Sequence, residues 1–374
     1  MPRKIAAITS SRADYSHLYW VLRELSEHPE IDLQLIAMGP HLSPEFGTTV
    51  REIEFPIADR IECLLSSDTD VGMAKTIGVA VLGLADCLDR MRPDLLLIIA
   101  DRYEMLAPAA VALAMRIPIA HIEGGEISEG AIDDAVRNAL TKLSHVHFTS
   151  TEKARERVVA MGEELGRVHR AGAPSLDHLR KSKLASRAEV ENRLQIDLSV
   201  PTALVAFHPT TIARDTNREA DAVFEALGAM EGTLIFCYPN ADAGSRELIK
   251  KLRNYRVFVN LDPILYWSLL RCCDMTIGNS SSGVMEAASL GLPAIDIGIR
   301  QQGRERGPNV LTVPADANAI LAAVAKARDE NFRNSLKGIG NPYGDGHAAE
   351  RIAEVLSTII LGEPLLHKAG SPNS

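Results

Sequence analysis

No apolar run in the sequence approaches the roughly 18 residues that cross a bilayer. The N-terminus enters a strand-like segment, Lys4-Ile-Ala-Ala-Ile-Thr9, without the basic, apolar, small-residue series of a secretory signal. No membrane partner and a cytoplasmic location are therefore expected. Positive charge is also short: 40 Lys and Arg stand against 49 Asp and Glu, a formal net charge of −9. That balance argues against nucleic acid as a partner, and any anionic substrate must be held by a local basic cluster. Cysteine is sparse. Cys63, Cys87, Cys237, Cys272 and Cys273 lack metal-ligand spacing and read as reduced structural thiols. His145-Val-His147 has no third ligand near it in sequence, so no metal site is expected. No G-x-G-x-x-G follows the first strand and no P-loop occurs anywhere, which disfavours nicotinamide enzymes and NTPases. No repeat or low-complexity segment is evident.

What is present is a rhythm. Apolar runs near 4–9, 33–38, 95–100, 117–122, 146–149 and 167–171 alternate with amphipathic helical stretches, the longest at about 71–90. After Ala171-Gly-Ala-Pro174 and a polar helical segment, the pattern resumes with runs near 202–207, 233–238, 275–278, 293–297 and 309–313. Alternation of this kind makes a parallel sheet wrapped by helices. The expectation is therefore α/β, two Rossmann-like doubly wound domains in tandem with an interdomain cleft. A last amphipathic helix is expected over about 347–361, with a frayed polar tail after Leu366.

Chemistry-bearing residues gather at the ends of these strands, where open α/β sheets hold their ligands. Thr9-Ser-Ser-Arg-Ala-Asp14 opens a helix, so amides, hydroxyls and Arg12 can converge on an anion, although Ser11 or Asp14 as a plain helix cap is an equal reading. Ile277-Gly-Asn-Ser-Ser-Ser-Gly283 repeats the device ahead of a helix expected over Val284–Leu290, with Glu286 placed for ribose hydroxyls. Asp101-Arg102 ends one strand and Glu123 the next, at the turn Gly124-Gly125. Asp133, Asp134 and Arg137 open a helix, and His208, Asn240 and Arg300 end strands of the second series. His41 in Gly39-Pro-His-Leu42 reads as a cleft residue, whereas His17, His28, His169 and His178 read as surface or packing residues. Carboxyl groups crowded into one cleft raise one another's pKa, which suits proton abstraction near neutrality.

Along nearly its whole length the chain resembles the hydrolysing UDP-N-acetylglucosamine 2-epimerases of sialic-acid synthesis. The resemblance rests on Arg12-Ala-Asp14, Gly39-Pro-His-Leu42, Asp101-Arg102, His121-Ile-Glu-Gly-Gly-Glu126, Ile132-Asp-Asp134 with Arg137, His208-Pro209, Pro239-Asn240, Gly278-Asn-Ser-Ser281, Gly298 to Gly303, and Tyr343-Gly-Asp-Gly346. Two departures stand out: Ala100, where the family usually has glycine, which would narrow the sugar pocket, and an extra residue in Ser128-Glu-Gly-Ala131. The resemblance implies a glycosyltransferase-B architecture, with residues 1–172 forming the first domain, 347–366 packing back on it, and 173–346 forming a UDP-binding domain. It implies a UDP-sugar substrate, no dissociable cofactor, and a homodimer or homotetramer. UDP would be eliminated across C1–C2 and water added to the resulting glycal, releasing N-acetylmannosamine. Asp101, Glu123, Asp133 and His208 would then be catalytic. Arg12, Asp14, His41, Arg102, Arg137, Asn240, Ser280, Ser281, Glu286 and Arg300 would bind substrate. A hydrolysing epimerase acting on UDP-2,4-diacetamido-2,4,6-trideoxyglucose or a GDP-sugar shares every motif quoted. A retaining glycosyltransferase usually offers basic phosphate ligands instead of Asn-Ser-Ser, and a non-catalytic nucleotide-sugar sensor would have lost part of the acid cluster.

Overall fold

The computed structural model describes residues 2–65, 67, 69–212, 219–239, 244–259 and 261–368, which divide into two compact units. One unit holds residues 1–126, 133–177 and 343–374, and the other holds 127–132 and 178–342. The first contains a seven-stranded parallel sheet of β1 (Arg3–Thr9), β2 (Ile31–Met38), β3 (Ile57–Ile61), β4 (Leu95–Ile99), β5 (Ile119–Ile122), β6 (Val146–Thr149) and β7 (Val168–Arg170). Its strands lie in the order β3-β2-β1-β4-β5-β6-β7, every pair parallel. The second contains a six-stranded sheet of β8 (Thr202–Ala206), β9 (Thr233–Cys237), β10 (Arg256–Phe258), β11 (Met275–Gly278), β12 (Ala294–Ile297) and β13 (Val310–Val313). Here the order is β10-β9-β8-β11-β12-β13. Both are doubly wound parallel sheets, as the alternation in sequence implied, and two such units make the glycosyltransferase-B class that the resemblance implied. In each the strand order reverses once, between β1 and β4 and between β8 and β11. Those two crevices are where a doubly wound sheet takes a ligand.

Helices α1 (Arg12–Glu27), α2 (Asp70–Met91), α3 (Leu106–Ala114) and α4 (Asp133–Leu143) cover the first sheet. A capping box starts α1: the Ser11 side chain accepts from the Asp14 amide, and the Asp14 carboxylate accepts from the Ser11 amide. The core joins strand residues such as Ile5, Leu95 and Leu97 to Leu18, Leu22 and Leu25 of α1 and to Ile352 and Leu356 of the helix Ala348–Thr358. Each such side chain contributes about 1.5–3 kcal/mol by leaving water. That late helix has no cap of its own. Asp177 supplies one from far away in sequence, its carboxylate accepting from the amides of Ala348 at 3.0 Å and Ala349 at 2.8 Å. The first unit therefore runs on to Asp177 instead of stopping at 172, and residues 127–132 belong with the second.

Two other expectations change. The tail after Leu366 is docked as far as Lys368, whose ammonium donates to the carbonyls of Lys142 (2.8 Å) and Ser144 (2.7 Å) and pairs with buried Glu163. Burial raises the Glu163 pKa, but hydrogen bonds from His147, Lys142 and Lys368 outweigh it and hold the carboxyl at about 2. Helix α2 is also more apolar than the search for long runs suggested. An 18-residue window within its 22 residues reaches a mean hydropathy of 1.6, enough by length and composition to cross a membrane. Thr76, Ala80, Leu84, Cys87 and Leu88 on one face are buried, while Val71, Val79 and Leu82 on the other are exposed.

Candidate active site

On the first sheet's carboxyl edge the backbone itself is unusual. Ala100 (φ 60°) and Glu123 (φ 65°) follow β4 and β5 in the left-handed region, which bulky residues avoid. The turn after β4 carries Asp101 and Arg102 onto the rim. Asp101 does not pair with Arg102: its carboxylate meets Arg137 of α4, a fully buried guanidinium that also donates to the Glu126 carbonyl at 2.9 Å and lies 3.6 Å from Asp134. Arg102 turns instead to Glu104, with Nη2 at 3.0 Å and Nε at 3.3 Å from Oε1. Glu104 is wholly buried and its Oε2 has no hydrogen-bond partner; burial pushes its pKa up against the pull of Arg102. Asp133 and Asp134 form the first turn of α4, where a helix N-terminus favours carboxylates.

After β5, Glu123 is 6% exposed and its Oε1 lies 2.8 Å from Nδ1 of His17 on α1. His17, expected as a surface or packing residue, is instead the partner of this carboxylate. The available clue was its place three residues after Asp14, on the same helical face. His121, inside β5, is neutral. Burial lowers its pKa to about 4, and its Nε2–H donates to the Ala100 carbonyl at 2.8 Å, tying the ends of β4 and β5 together.

Two expected ligands are occupied by folding. Asp14 spends Oδ2 on the Ser10 hydroxyl (2.6 Å) and on the amides of Ser10 and Ser11 (both 3.1 Å), which shapes the loop from which half-buried Arg12 emerges. His41 is fully buried between Thr9 (Nε2 to Oγ1, 2.9 Å) and Thr49 (Nδ1 to Oγ1, 2.7 Å), and burial depresses its pKa to about 3. It braces the β1 and β2 loops.

The second unit builds its edge around Asn279, a residue of the Gly278-Asn-Ser-Ser281 motif for which no role was expected. Asn279 Oδ1 accepts from the His208 amide and its Nδ2 donates to the His208 carbonyl, both at 2.8 Å. The loops after β8 and β11 are thereby stitched together at the reversal point, and His208 is only 7% exposed. Gly278 makes the close approach possible, since a Cβ there would lie 2.0 Å from the Ala206 carbonyl oxygen. Arg300 (3.2 Å) and Gln301 (2.9 Å) both donate to the Asn279 carbonyl, so Arg300 acts here as a brace for the serine loop.

Ser280 caps a helix of five residues, Ser281–Met285, which passes into a 3₁₀ turn at Ala287–Leu290; the longer helix expected over Val284–Leu290 is absent. So short a helix has little macrodipole, and an anion there would rely on amides and hydroxyls directly. Ser280 and Ser281 are half-buried. Glu286 is buried, and its carboxylate takes the Ser282 hydroxyl, which also meets the hydroxyl of Tyr266. Burial and the Glu286 charge push the Tyr266 pKa well up. Asn240 lies outside the described residues.

The segment 127–132 is seated on this unit. The Glu129 amide donates to the Gln302 carbonyl (3.1 Å), the Ile132 amide to Thr211 Oγ1 (3.1 Å), and Gly130 lies so close to Ile299 that a Cβ would come within 2.5 Å of its carbonyl oxygen. Among the described residues no group of three His, Cys, Asp or Glu side chains is arranged to hold a metal ion.

The sequence profile described as UDP-N-acetylglucosamine 2-epimerase matches residues 23–357. A Legionella pneumophila protein named UDP-N,N'-diacetylbacillosamine 2-epimerase (hydrolyzing) is 35% identical, covering 99% of this chain and 100% of that one. A Campylobacter jejuni GDP/UDP-N,N'-diacetylbacillosamine 2-epimerase (hydrolyzing) is 34% identical over 98% of each. A UDP-N-acetylglucosamine 2-epimerase of Neisseria meningitidis is 32% identical over 95% of each. The fold matches the crystal structure of UDP-GlcNAc 2-epimerase from Neisseria meningitidis bound to UDP-GlcNAc, with a TM-score of 0.77 and 19% identity, covering 94% of this chain and 99% of that one.

Proposed function

Because the chain belongs to the UDP-N-acetylglucosamine 2-epimerase family, we propose that it is a hydrolysing 2-epimerase whose substrate is UDP-N,N'-diacetylbacillosamine. UDP and the free 2,4-diacetamido-2,4,6-trideoxy sugar of manno configuration would be its products. The observation that carries the choice of sugar is the 35% identity, over 99% of the chain, to a protein named for that reaction. The second relative, at 34%, agrees with it. The reading as a UDP-N-acetylglucosamine enzyme of sialic-acid synthesis yields accordingly, although the relative at 32% keeps that sugar as the comparison substrate.

In this reading the carboxyl edge of the second sheet holds the nucleotide and that of the first carries the proton chemistry. Amides and hydroxyls at Ser280 and Ser281, with Arg12, take the diphosphate charge as the anomeric bond breaks. The C2 proton goes to one of the carboxylates Asp101, Glu123 or Asp133, and the C2–H electron pair becomes the C1=C2 bond as UDP leaves. Water then adds across that bond. His208, with its main chain fixed by Asn279, partners the leaving group. Glu286, Ser282 and Tyr266 hold the ribose, while Arg102 and Arg137 hold carboxylates. No cofactor is needed. The protein would work in the cytoplasm, in keeping with five cysteines that form no disulfide. It would be a homodimer or homotetramer, in keeping with the exposed apolar residues Val71, Val79 and Leu82 of α2 and Leu113 of α3.

The test is to incubate the protein in deuterated water with UDP-N,N'-diacetylbacillosamine and, separately, with UDP-N-acetylglucosamine, following phosphorus and proton NMR. UDP release with deuterium at C2 of the free sugar, at least tenfold faster in kcat/KM for the diacetamido substrate, is expected. Preference for UDP-N-acetylglucosamine would reject the sugar assignment, and no UDP release from either would reject the activity. Asp101→Asn, Glu123→Gln and His208→Ala should each fold and lose about a hundredfold or more in UDP release.

A further inference from the structure

Glu123 carries two marks of a constrained functional group. It holds a left-handed backbone conformation without being glycine, and its carboxylate is nearly buried. The side chain facing it comes from another element: His17, on the second turn of α1, places Nδ1 2.8 Å from Glu123 Oε1, with side-chain exposures of 18% and 8%. We propose that His17 is a positioning residue for this reaction, forming with Glu123 a dyad in which the imidazole holds the carboxylate and keeps it ionised at neutral pH. This deepens the proposed function and rests on it.

A carboxylate only accepts, so the shared proton sits on Nδ1 of His17. A second proton, on Nε2, makes the contact an ion pair, and at this depth an opposite charge acts with little screening. Several charged groups on neighbouring elements, among the described residues, have partners of their own. On α1, Asp14 is taken by Ser10 and Ser11. Beyond β4, Asp101 is paired with Arg137 of α4. On β5, His121 is held neutral by burial and donates to Ala100. Asp177, next to α1, is bound by the amides of Ala348 and Ala349. His17 is thus placed to set the protonation state of Glu123, much as a third group orients the base in other acid–base sites.

The experiment compares wild type, His17→Gln and His17→Lys over pH 5–9. Wild-type turnover of the UDP-sugar is measured first, so that failure of the functional reading is seen separately. In His17→Gln the acidic limb of kcat/KM should move up by about one pH unit, as loss of a cation beside a carboxylate requires. At pH 6 kcat should fall severalfold, by up to about tenfold, with KM within twofold, and His17→Lys should restore the limb. An unmoved limb with unchanged kcat would overturn the proposal. A second measurement is independent of turnover: NMR titration of the His17 ring in wild type and in Glu123→Gln. A His17 pKa that falls by one unit or more in Glu123→Gln is expected, and an unchanged value would refute the dyad.

Discussion

Ala100 has a methyl group at a backbone angle, φ 60°, that glycine adopts freely. The neighbouring contacts hold it there: its amide donates to the Ile122 carbonyl at 2.9 Å and its carbonyl accepts from His121. The left-handed conformation costs an alanine roughly 1–2 kcal/mol, while glycine loses more entropy on folding. Ala100→Gly should therefore raise unfolding stability by about 0.5–1 kcal/mol in urea titrations, and a loss of stability would contradict this account. In sequence this residue stands out as a departure from the family pattern, and its expected effect is on pocket width. Backbone angle is invisible in a residue name, and so is a pairing such as His17 with Glu123 across 106 positions. Asp101 and Glu123, by contrast, were legible because charged groups directly after apolar strands are exceptional.

At the scale of elements, the buried strands and the edge strands β7 and β13 were legible, and the edge strands β3 and β10 were not. β3 reads Ile-Ala-Asp-Arg-Ile and β10 only Arg-Val-Phe, so both lie outside the apolar pattern and are fixed by pairing with β2 and β9. The serine loop was legible from its glycine and hydroxyls, but its stitching by Asn279 was not, because that depends on β8 and β11 being neighbours. The remote cap of the Ala348–Thr358 helix was likewise hidden. Asp177→Ala would leave two buried amides without acceptors and should lower stability by about 2 kcal/mol or more, read as a lower urea midpoint at unchanged slope. Asp177→Asn should lose less, since its amide oxygen still accepts.

For the whole molecule, buried histidines set the response to acid. Burial lowers the pKa of His41 from 6.5 to about 3, and those of His121 and His145 from 6.5 to about 4. Unfolded, each takes up a proton as pH falls through 6.5; folded, it does not until pH 3–4. Stability is thus full above pH 6.5 and declines below it, by about 1.4 kcal/mol per pH unit for each histidine. Glu163, held at about 2 against 4.5, adds a further loss below pH 4.5. Urea unfolding at pH 7.5 and 5.0 should differ by several kcal/mol, and equal values would show that these rings titrate in the folded protein.

The helix Ala348–Thr358 fills the core of a unit whose first strand begins at Arg3. During synthesis on the ribosome, β1 to β7 must wait for that helix, with Leu18, Leu22 and Leu25 partly uncovered, while the intervening unit emerges and folds. The half that is translated first is completed last. Premature termination before residue 348 would therefore release a chain with an open core, a ready client for chaperones and proteases.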